Sequence, residues 1–368
     1  LGLDEARISW RFEGQDKEKA ALGAGAGHDR ALEFLVKNIM SQNEELHDSI
    51  VSCGHRIVQG GDIYSEPTLI DDEVVANIAK VIPFAPLHNP AHILGIESAR
   101  KNFPNIPHVA VFDTAFHQTM PPKAYRYAIP ETYYTDLHLR KYGAHGTSHM
   151  YIAQETAKFL NKPLEETNVI TCHLGNGASV SAVKGGKCMD TSMGLTPLDG
   201  LVMGTRCGCI DASVVFFLCD RLKMTPEQVK DVFNKESGML ALSGISSDMR
   251  PIEEGYIKGE PKCVLAFDIY AYRLAKFIAS YYVPLGHVDA ISFAGGIGEN
   301  SDIIRKLTCD LLKEPFGLEI DDELNSKFMG FKGNGSGKIS TESSKSAIFM
   351  IQTNEELMIA RSAMKFVK

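Results

Sequence analysis

Three arginines stand in unusual company. Arg56 follows Gly54-His55 at the end of a short apolar run, Ser49–Gly54; Arg206 closes Gly204-Thr205 in a glycine-rich segment; Arg250 follows Asp248-Met249 after a Ser/Gly loop. Most arginines are solvated surface residues. Arginines flanked by glycine, histidine and apolar residues suit an anion cleft, because the guanidinium fork meets carboxylate and phosphate oxygens two at a time. Two glycine-rich turns could approach such an anion with backbone N–H groups. His173-Leu174-Gly175-Asn176-Gly177 lies between two apolar runs, and Gly295-Gly296-Ile297-Gly298-Glu299-Asn300 lies where a strand-like run meets a helical pattern starting at Asp302, so a helix start could favour phosphate or a polar nucleotide group there. Each turn also has a plain structural explanation. Asp113 closes the apolar run from Val109, where open α/β sheets place ligand chemistry; a turn or N-cap aspartate explains it as well. Thr353-x-x-Glu356 fits a capping box, which accounts for Glu356 and leaves Glu355 as the better magnesium candidate. His145 and His149 would share a helix face; zinc would need a third ligand, and no HExxH glutamate is present.

The elements that would carry these residues alternate between strand-like and helix-like. Val169–Leu174 and the alternating Ala178–Val183 flank an Asn-Gly turn, a hairpin signal. Val288–Ala294 and Ala347–Gln352 read as strands, and a helix follows Thr353 to Val367. Gly330–Ser346 is polar and predicts a surface loop. Strands alternating with helices, plus a hairpin, predict an α/β protein with mixed sheets. The 368 residues suggest about two domains.

Other classes find little support. There is no GxxxxGK[ST]; Gly333–Lys338 fails because Ile339 follows the lysine, and no GxGxxG follows a strand. A net charge of −8 and a pI near 5.9 speak against nucleic-acid binding. No apolar stretch approaches a membrane span, and no signal-peptide pattern appears. Eight scattered cysteines without a CxxC predict reduced, buried thiols and a cytoplasmic setting.

Taken together, GHRIVQGG (54–61), PLHNPAH (86–92), AVFDTAFHQTM (110–120), YGAHGTSH (142–149), TCHLGNG (171–177), DTSMGLTPLDGLVMGTR (190–206), GGIGEN (295–300) and TNEEL (353–357) resemble the acetate kinase family, in the family's order over nearly the whole chain. The resemblance implies two related actin-like, ribonuclease-H-like α/β domains with a nucleotide cleft between them, expected here as 1–115 plus 352–368 and as 116–351. It implies reversible in-line transfer from ATP to acetate, giving acetyl phosphate and ADP, with Mg²⁺ (or Mn²⁺) and a homodimer. Arg56 and Arg206 would hold the carboxylate and the moving phosphoryl group, His145 would stabilise the transition state, and Asp113 would be an essential carboxylate. Asn176, with its neighbours in His173–Gly177, would contact the ATP phosphates. Asp248, Met249 and Arg250, with Gly296, Ile297, Gly298, Glu299 and Asn300, would hold the adenosine end. Glu355 would place the metal, and Val58, Leu87 and Pro197 would line the methyl pocket. Two departures follow: the family's opening strand and Asn-x-Gly-Ser-Ser-Ser loop have no counterpart, so the chain reads as starting downstream of them, and the usual Ser-Gly-Asp after Gly-Thr-Arg is Cys207-Gly208-Cys209, with Asp211 retained.

The chemistry agrees with that inventory. A carboxylate is ionised at neutral pH and needs no general base. Bringing one anion within 4 Å of another costs about 4 kcal/mol at an effective dielectric near 20, so such a site needs cations. Asp113 is accordingly expected to orient an arginine or a metal-bound water rather than to act as a base. A propionate or butyrate kinase, a non-catalytic nucleotide-dependent module and a metal hydrolase built on His145 and His149 are the rival readings.

Overall fold

The computed structural model describes residues 6–367 except 13, 24, 41–44, 46–48 and 87. The chain divides into two compact units, Leu1–Asp113 with Glu356–Lys368, and Thr114–Glu355.

In the first unit, β1 (Ala6–Trp10) and β2 (Glu18–Gly23) form an antiparallel hairpin. A three-stranded sheet has β5 (His108–Phe112) at its centre, parallel to β3 (Cys53–Ile57) and antiparallel to β4 (Thr68–Leu69). All five residues of β5 are buried, as a central strand covered on both faces requires. β3 begins later than the apolar run predicts and continues through Gly54 to Ile57, because its ladder with β5 pairs Gly54 with Val109 and Arg56 with Val111. Arg56 therefore stands on a strand. A Cβ at Gly54 would lie 2.5 Å from Ile359 Cγ2, so the closing helix Glu355–Met364 rests directly on β3.

The second unit is built on a six-stranded mixed sheet. Its strands are β6 (Asn168–Leu174), β7 (Ala178–Lys184), β8 (Lys187–Thr191), β9 (Ala290–Ala294), β10 (Gly337–Lys338) and β11 (Ala347–Met350), in the order β10-β11-β9-β6-β7-β8. β6, β9 and β11 are parallel; β6-β7-β8 is an antiparallel meander containing the expected hairpin. Alternation along β6 divides the sheet's labour. Ile170, Cys172 and Leu174 join the main apolar core with Phe267, Tyr270, Leu274 and Ile278 of the Pro261–Leu285 helix. Val169, Thr171 and His173 face the opposite side, where the Gly146–Phe159 helix brings Ser148, His149, Ile152 and Thr156.

Two local expectations change. Residues 330–346 are not all surface: β10 pairs with β11, and Ile339 is fully buried. The capping box does not form, because tertiary partners take its groups. Thr353 N–H donates to Glu299 Oε1 at 3.1 Å, and its hydroxyl pairs with Ser148 Oγ at 2.7 Å. All eight cysteines are free thiols, but only four are buried, and Cys209 is exposed. No helix among the described residues is long and apolar enough to cross a membrane.

Candidate active site

Arg56 and Asp113 meet in the first unit. The parallel register of β3 and β5 places them at neighbouring strand ends, and Asp113 N–H donates to Ile57 O at 2.8 Å. Arg56 Nε donates to Asp113 Oδ1 at 3.0 Å and Arg56 Nη2 to Asp113 Oδ2 at 2.8 Å, a fork-to-carboxylate pair. Asp113 is buried while the arginine side chain is 40% exposed, so the carboxylate anchors and the cation reaches outward. Val58, the next residue after β3, is buried. Leu87 lies outside the described residues.

The remaining candidates belong to the second unit. His145 caps the Gly146–Phe159 helix with φ 58°, a left-handed backbone that costs a non-glycine residue about 1 kcal/mol or more. Its Nδ1 pairs with Ser179 Oγ at 2.9 Å, and its ring lies 4.3 Å from that of His173. Ser179 Oγ also pairs with His149 Nε2 at 2.7 Å, and His149 Nδ1 pairs with Thr171 Oγ1 at 2.7 Å. Burial holds the His149 pKa well below its ordinary value, with His117 and His173 adding to the effect, so this ring is neutral. On the other side, Thr353 Oγ1, Ser148 Oγ and His173 Nδ1 form a chain of hydroxyl contacts. Both histidines of this tilted pair, His145 and His173, are thus oriented by serines.

Arg206 arrives at the same turn. A Cβ placed on Gly177 would lie 3.5 Å from Arg206 Nη1 and 3.5 Å from both Cε1 and Nε2 of His145. Arg206 Nη1 donates to Pro197 O at 3.2 Å, which ties the arginine to the predicted methyl-pocket residue. Among the described residues no carboxylate pairs with Arg206, and burial lowers its pKa. The loop bearing it is locked to Asn176: Gly204 N–H donates to Asn176 O at 3.0 Å, and a Cβ at Gly204 would stand 1.8 Å from Asn176 Oδ1. Beyond Arg206, the Cys209 thiol donates to Asp199 Oδ1 at 3.0 Å. Burial and this carboxylate push the thiol pKa up to about 11. Arg273 donates to the carbonyls of Cys207 and Cys209, so the departure from Ser-Gly-Asp leaves a braced loop.

A cavity of about 920 Å³ opens on the other side of the glycine turn. Gly175, Asn176, Asp248, Met249, Arg250, Gly296, Ile297 and Asn300 line it, from three distant stretches of sequence. His173, Leu174, Gly177, Gly298 and Glu299 do not line it. Leu174 is core, and Glu299 Oε1 accepts from the backbone N–H groups of Gly295 and Thr353. The segment from Gly295 is itself helical, only to Asn300, and a second helix starts at Asp302. Arg250 holds the Asp248 pKa down to about 2. Glu355 is half-buried at the start of the closing helix.

Comparison with known proteins identifies the family. Residues 1–361 match the profile of the acetokinase family. The chain belongs to the acetokinase family. An acetate kinase of Shewanella sp. (strain W3-18-1) is 52% identical over 368 residues, covering 100% of this chain and 90% of the relative. The crystal structure of a propionate kinase from Francisella tularensis subsp. tularensis SCHU S4 superposes with a TM-score of 0.92 at 42% identity, over 99% of this chain and 91% of that one. The Porphyromonas gingivalis acetate kinase superposes at 0.91 with 37% identity, over 100% and 92%. The actin-like α/β fold class expected from the sequence stands, and so does a kinase with a carboxyl acceptor and ATP or ADP as co-substrate.

Several residues in this acetokinase-family site escape sequence reasoning. Glu253, Glu254 and Ile257 line the cavity from the Met249–Ile257 helix, and Phe331 from the short 3-10 turn Gly330–Lys332. Their spacing, one helical turn (Glu253, Glu254) and two turns (Ile257) beyond the Asp248-Met249-Arg250 signal, is the only clue to the first three. Ser179 and Thr171 are visible only as small polar residues inside largely buried strands.

Proposed function

We propose that the chain transfers a phosphoryl group directly and in line between ATP and acetate. The observation that carries this reading is that one glycine turn, 175–177, serves two chemistries. Its Gly175 and Asn176 line the nucleoside-sized cavity, and its Gly177 adjoins Arg206 and His145. A nucleotide seated in the cavity would direct its polyphosphate toward those two side chains. Arg206, half-buried and without a carboxylate partner among the described residues, offers a full charge to the equatorial oxygens of the moving group. His145, fixed by Ser179 and stacked near His173, offers an oriented ring nitrogen. The acetate carboxylate attacks unaided, and Asp113 acts by orienting Arg56 toward it.

Mg²⁺ is commonly held by one or two carboxylates, with phosphate oxygens and water completing its shell. The half-buried Glu355 carboxylate, a hard oxygen donor, would supply such a ligand. Such an ion would neutralise charge between the β- and γ-phosphates. The helix Ser213–Leu222 has no buried residue, although Phe216, Phe217 and Leu222 are 69%, 61% and 65% exposed, which supports a homodimer. Eight free thiols favour a reducing, cytoplasmic setting.

The test is a hydroxylamine trap for acyl phosphate with ATP and acetate, propionate or butyrate. Acetyl hydroxamate should form and should vanish in Arg206→Ala. ATP binding without any hydroxamate would favour the non-catalytic module. The acetate kinases at 50–52% identity favour acetate over the propionate or butyrate alternative. One methylene is worth only about 1–3 kcal/mol, so kcat/KM for the three acids decides.

A further inference from the structure

The cavity has one wall whose purpose the reading above leaves open. Phe331 is 70% exposed, and it lines the cavity together with Ile257, Ile297 and Met249. A large ring standing in solvent is ordinary when its backbone is loosely held, but this segment is pinned from several sides. Phe331 N–H donates to Asn300 Oδ1 at 2.9 Å, and Asn300 Nδ2 donates to Gly296 O at 2.9 Å. Gln352 Nε2 donates to Gly330 O at 3.3 Å. A Cβ at Gly330 would lie 3.0 Å from Asn300 Oδ1 and 3.3 Å from Glu299 Cβ, so the loop lies in direct contact with the Gly295–Asn300 helix.

Behind this contact is a fully buried guanidinium. Arg305 Nη1 donates to Gly298 O at 2.7 Å, Nε to Asn325 Oδ1 at 2.7 Å, and Nη2 to Asn325 O and Phe328 O at 2.7 and 3.2 Å. One side chain therefore joins the Gly295–Asn300 helix to the stretch that leads into Phe331. No carboxylate among the described residues hydrogen-bonds to it, and burial lowers its pKa to about 10. Asp302 and Glu253 lie near enough to favour its charged form without touching it. A buried charge with no directly bonded carboxylate is a costly fastener, and well-packed apolar residues would join two segments more cheaply. Its advantage is that a planar fork fixes several backbone carbonyls in one geometry. The beneficiary of that geometry is the ring at position 331.

We propose that Phe331 is the platform on which the adenine ring stacks, held in place by Asn300 and Arg305. The proposal rests on the cavity being the nucleoside site. Every nucleobase presents a π-face, and an aromatic platform recognises it through area rather than hydrogen bonds.

The test uses the full chain, which has one native tryptophan, Trp10. In Phe331→Trp, the emission added over wild type should be quenched on titration with ADP. Phe331→Ala should raise KM for ATP about five-fold or more, with KM for acetate changed less than two-fold. Ile297→Trp, which fills the cavity, is the control for the site itself and should raise KM for ATP regardless. If Ile297→Trp acts while Phe331→Ala leaves KM for ATP unchanged and ADP leaves the added emission unmoved, the platform is refuted and the cavity reading survives. If Ile297→Trp is also silent, both fall together. Emission that follows protein concentration instead of ADP would assign Phe331 to a protein contact and overturn the proposal.

Discussion

Arg56 finds its counter-charge within its own unit, and Arg206 does not. The first is forked onto buried Asp113 and left partly in solvent; the second is half-buried, with a backbone carbonyl and a thioether as its neighbours. The same guanidinium is therefore used in two ways. A paired arginine has a fixed direction but a largely cancelled field, so it aligns a substrate. An unpaired, desolvated arginine has a strong field and little to hold it, so it needs the braces that Pro197, Gly204 and Asn176 supply. Under the proposed function, charge stabilisation would fall on Arg206 and geometry on Arg56.

The largest effect should come from Arg206→Ala, with kcat falling about 10³-fold, as for other cations that face a transferring phosphoryl group. Thermal stability should hold or rise, since a desolvated charge without a counter-ion has been removed. A lowered Tm would break the comparison by showing that the cation stabilises the fold. Asp113→Asn should cost about 10²-fold in kcat/KM for acetate, the scale of a misplacement near 1 Å. Its pH–rate profile should match wild type. Loss of one limb of that profile would make Asp113 a base and Arg56 its dependant.

Acid should then separate the two units by their histidines. In the first unit, His55 is held near a pKa of about 4 by burial, with His108 and His92 adding to it; in the second, His149 is depressed mainly by burial. Both fold as neutral rings, so their contribution is complete above pH 6.5 and is lost as pH falls through their lowered pKa values, about 4 for His55. Each can contribute up to about 1.4 kcal/mol per pH unit in that window. His55→Gln should flatten the acid dependence of denaturant unfolding below pH 6.5, and an unchanged slope would exclude His55 as its source. The smallest effect on catalysis should come from Phe216→Asp, which should turn dimer into monomer by light scattering with kcat within two-fold. A native chain that is monomeric at micromolar concentration would leave the exposed helix Ser213–Leu222 without that explanation.

The architecture was legible where one local pattern dominated. β5 and β6 are rich in Val, Ile, Thr and Phe, β7 alternates valine with small residues, and the Asn-Gly turn sits where the hairpin needs it. β3 was misjudged because its end is set by pairing with β5, not by its own composition. The capping box misled for a related reason: Thr353 N–H has one hydrogen to give, and Glu299, 54 residues earlier, receives it. Within the site, segments could be located but facing directions could not. GGIGEN supplies Gly296, Ile297 and Asn300 to the cavity, while its Glu299 turns back toward the backbone. Arg305 carries no sequence signal, because its partners are carbonyl groups whose positions only the fold determines.

The two-sided character of β6 has a further implication. Because side chains alternate strictly along a strand, sliding β6 by a single residue would send His173 and Thr171 into the oily interior and turn Ile170, Cys172 and Leu174 onto the polar seam. A mis-threaded molecule could not persist as a stable but inert decoy that still traps nucleotide. It would lose its core at the same moment as its catalyst, and quality control would meet an unfolded chain.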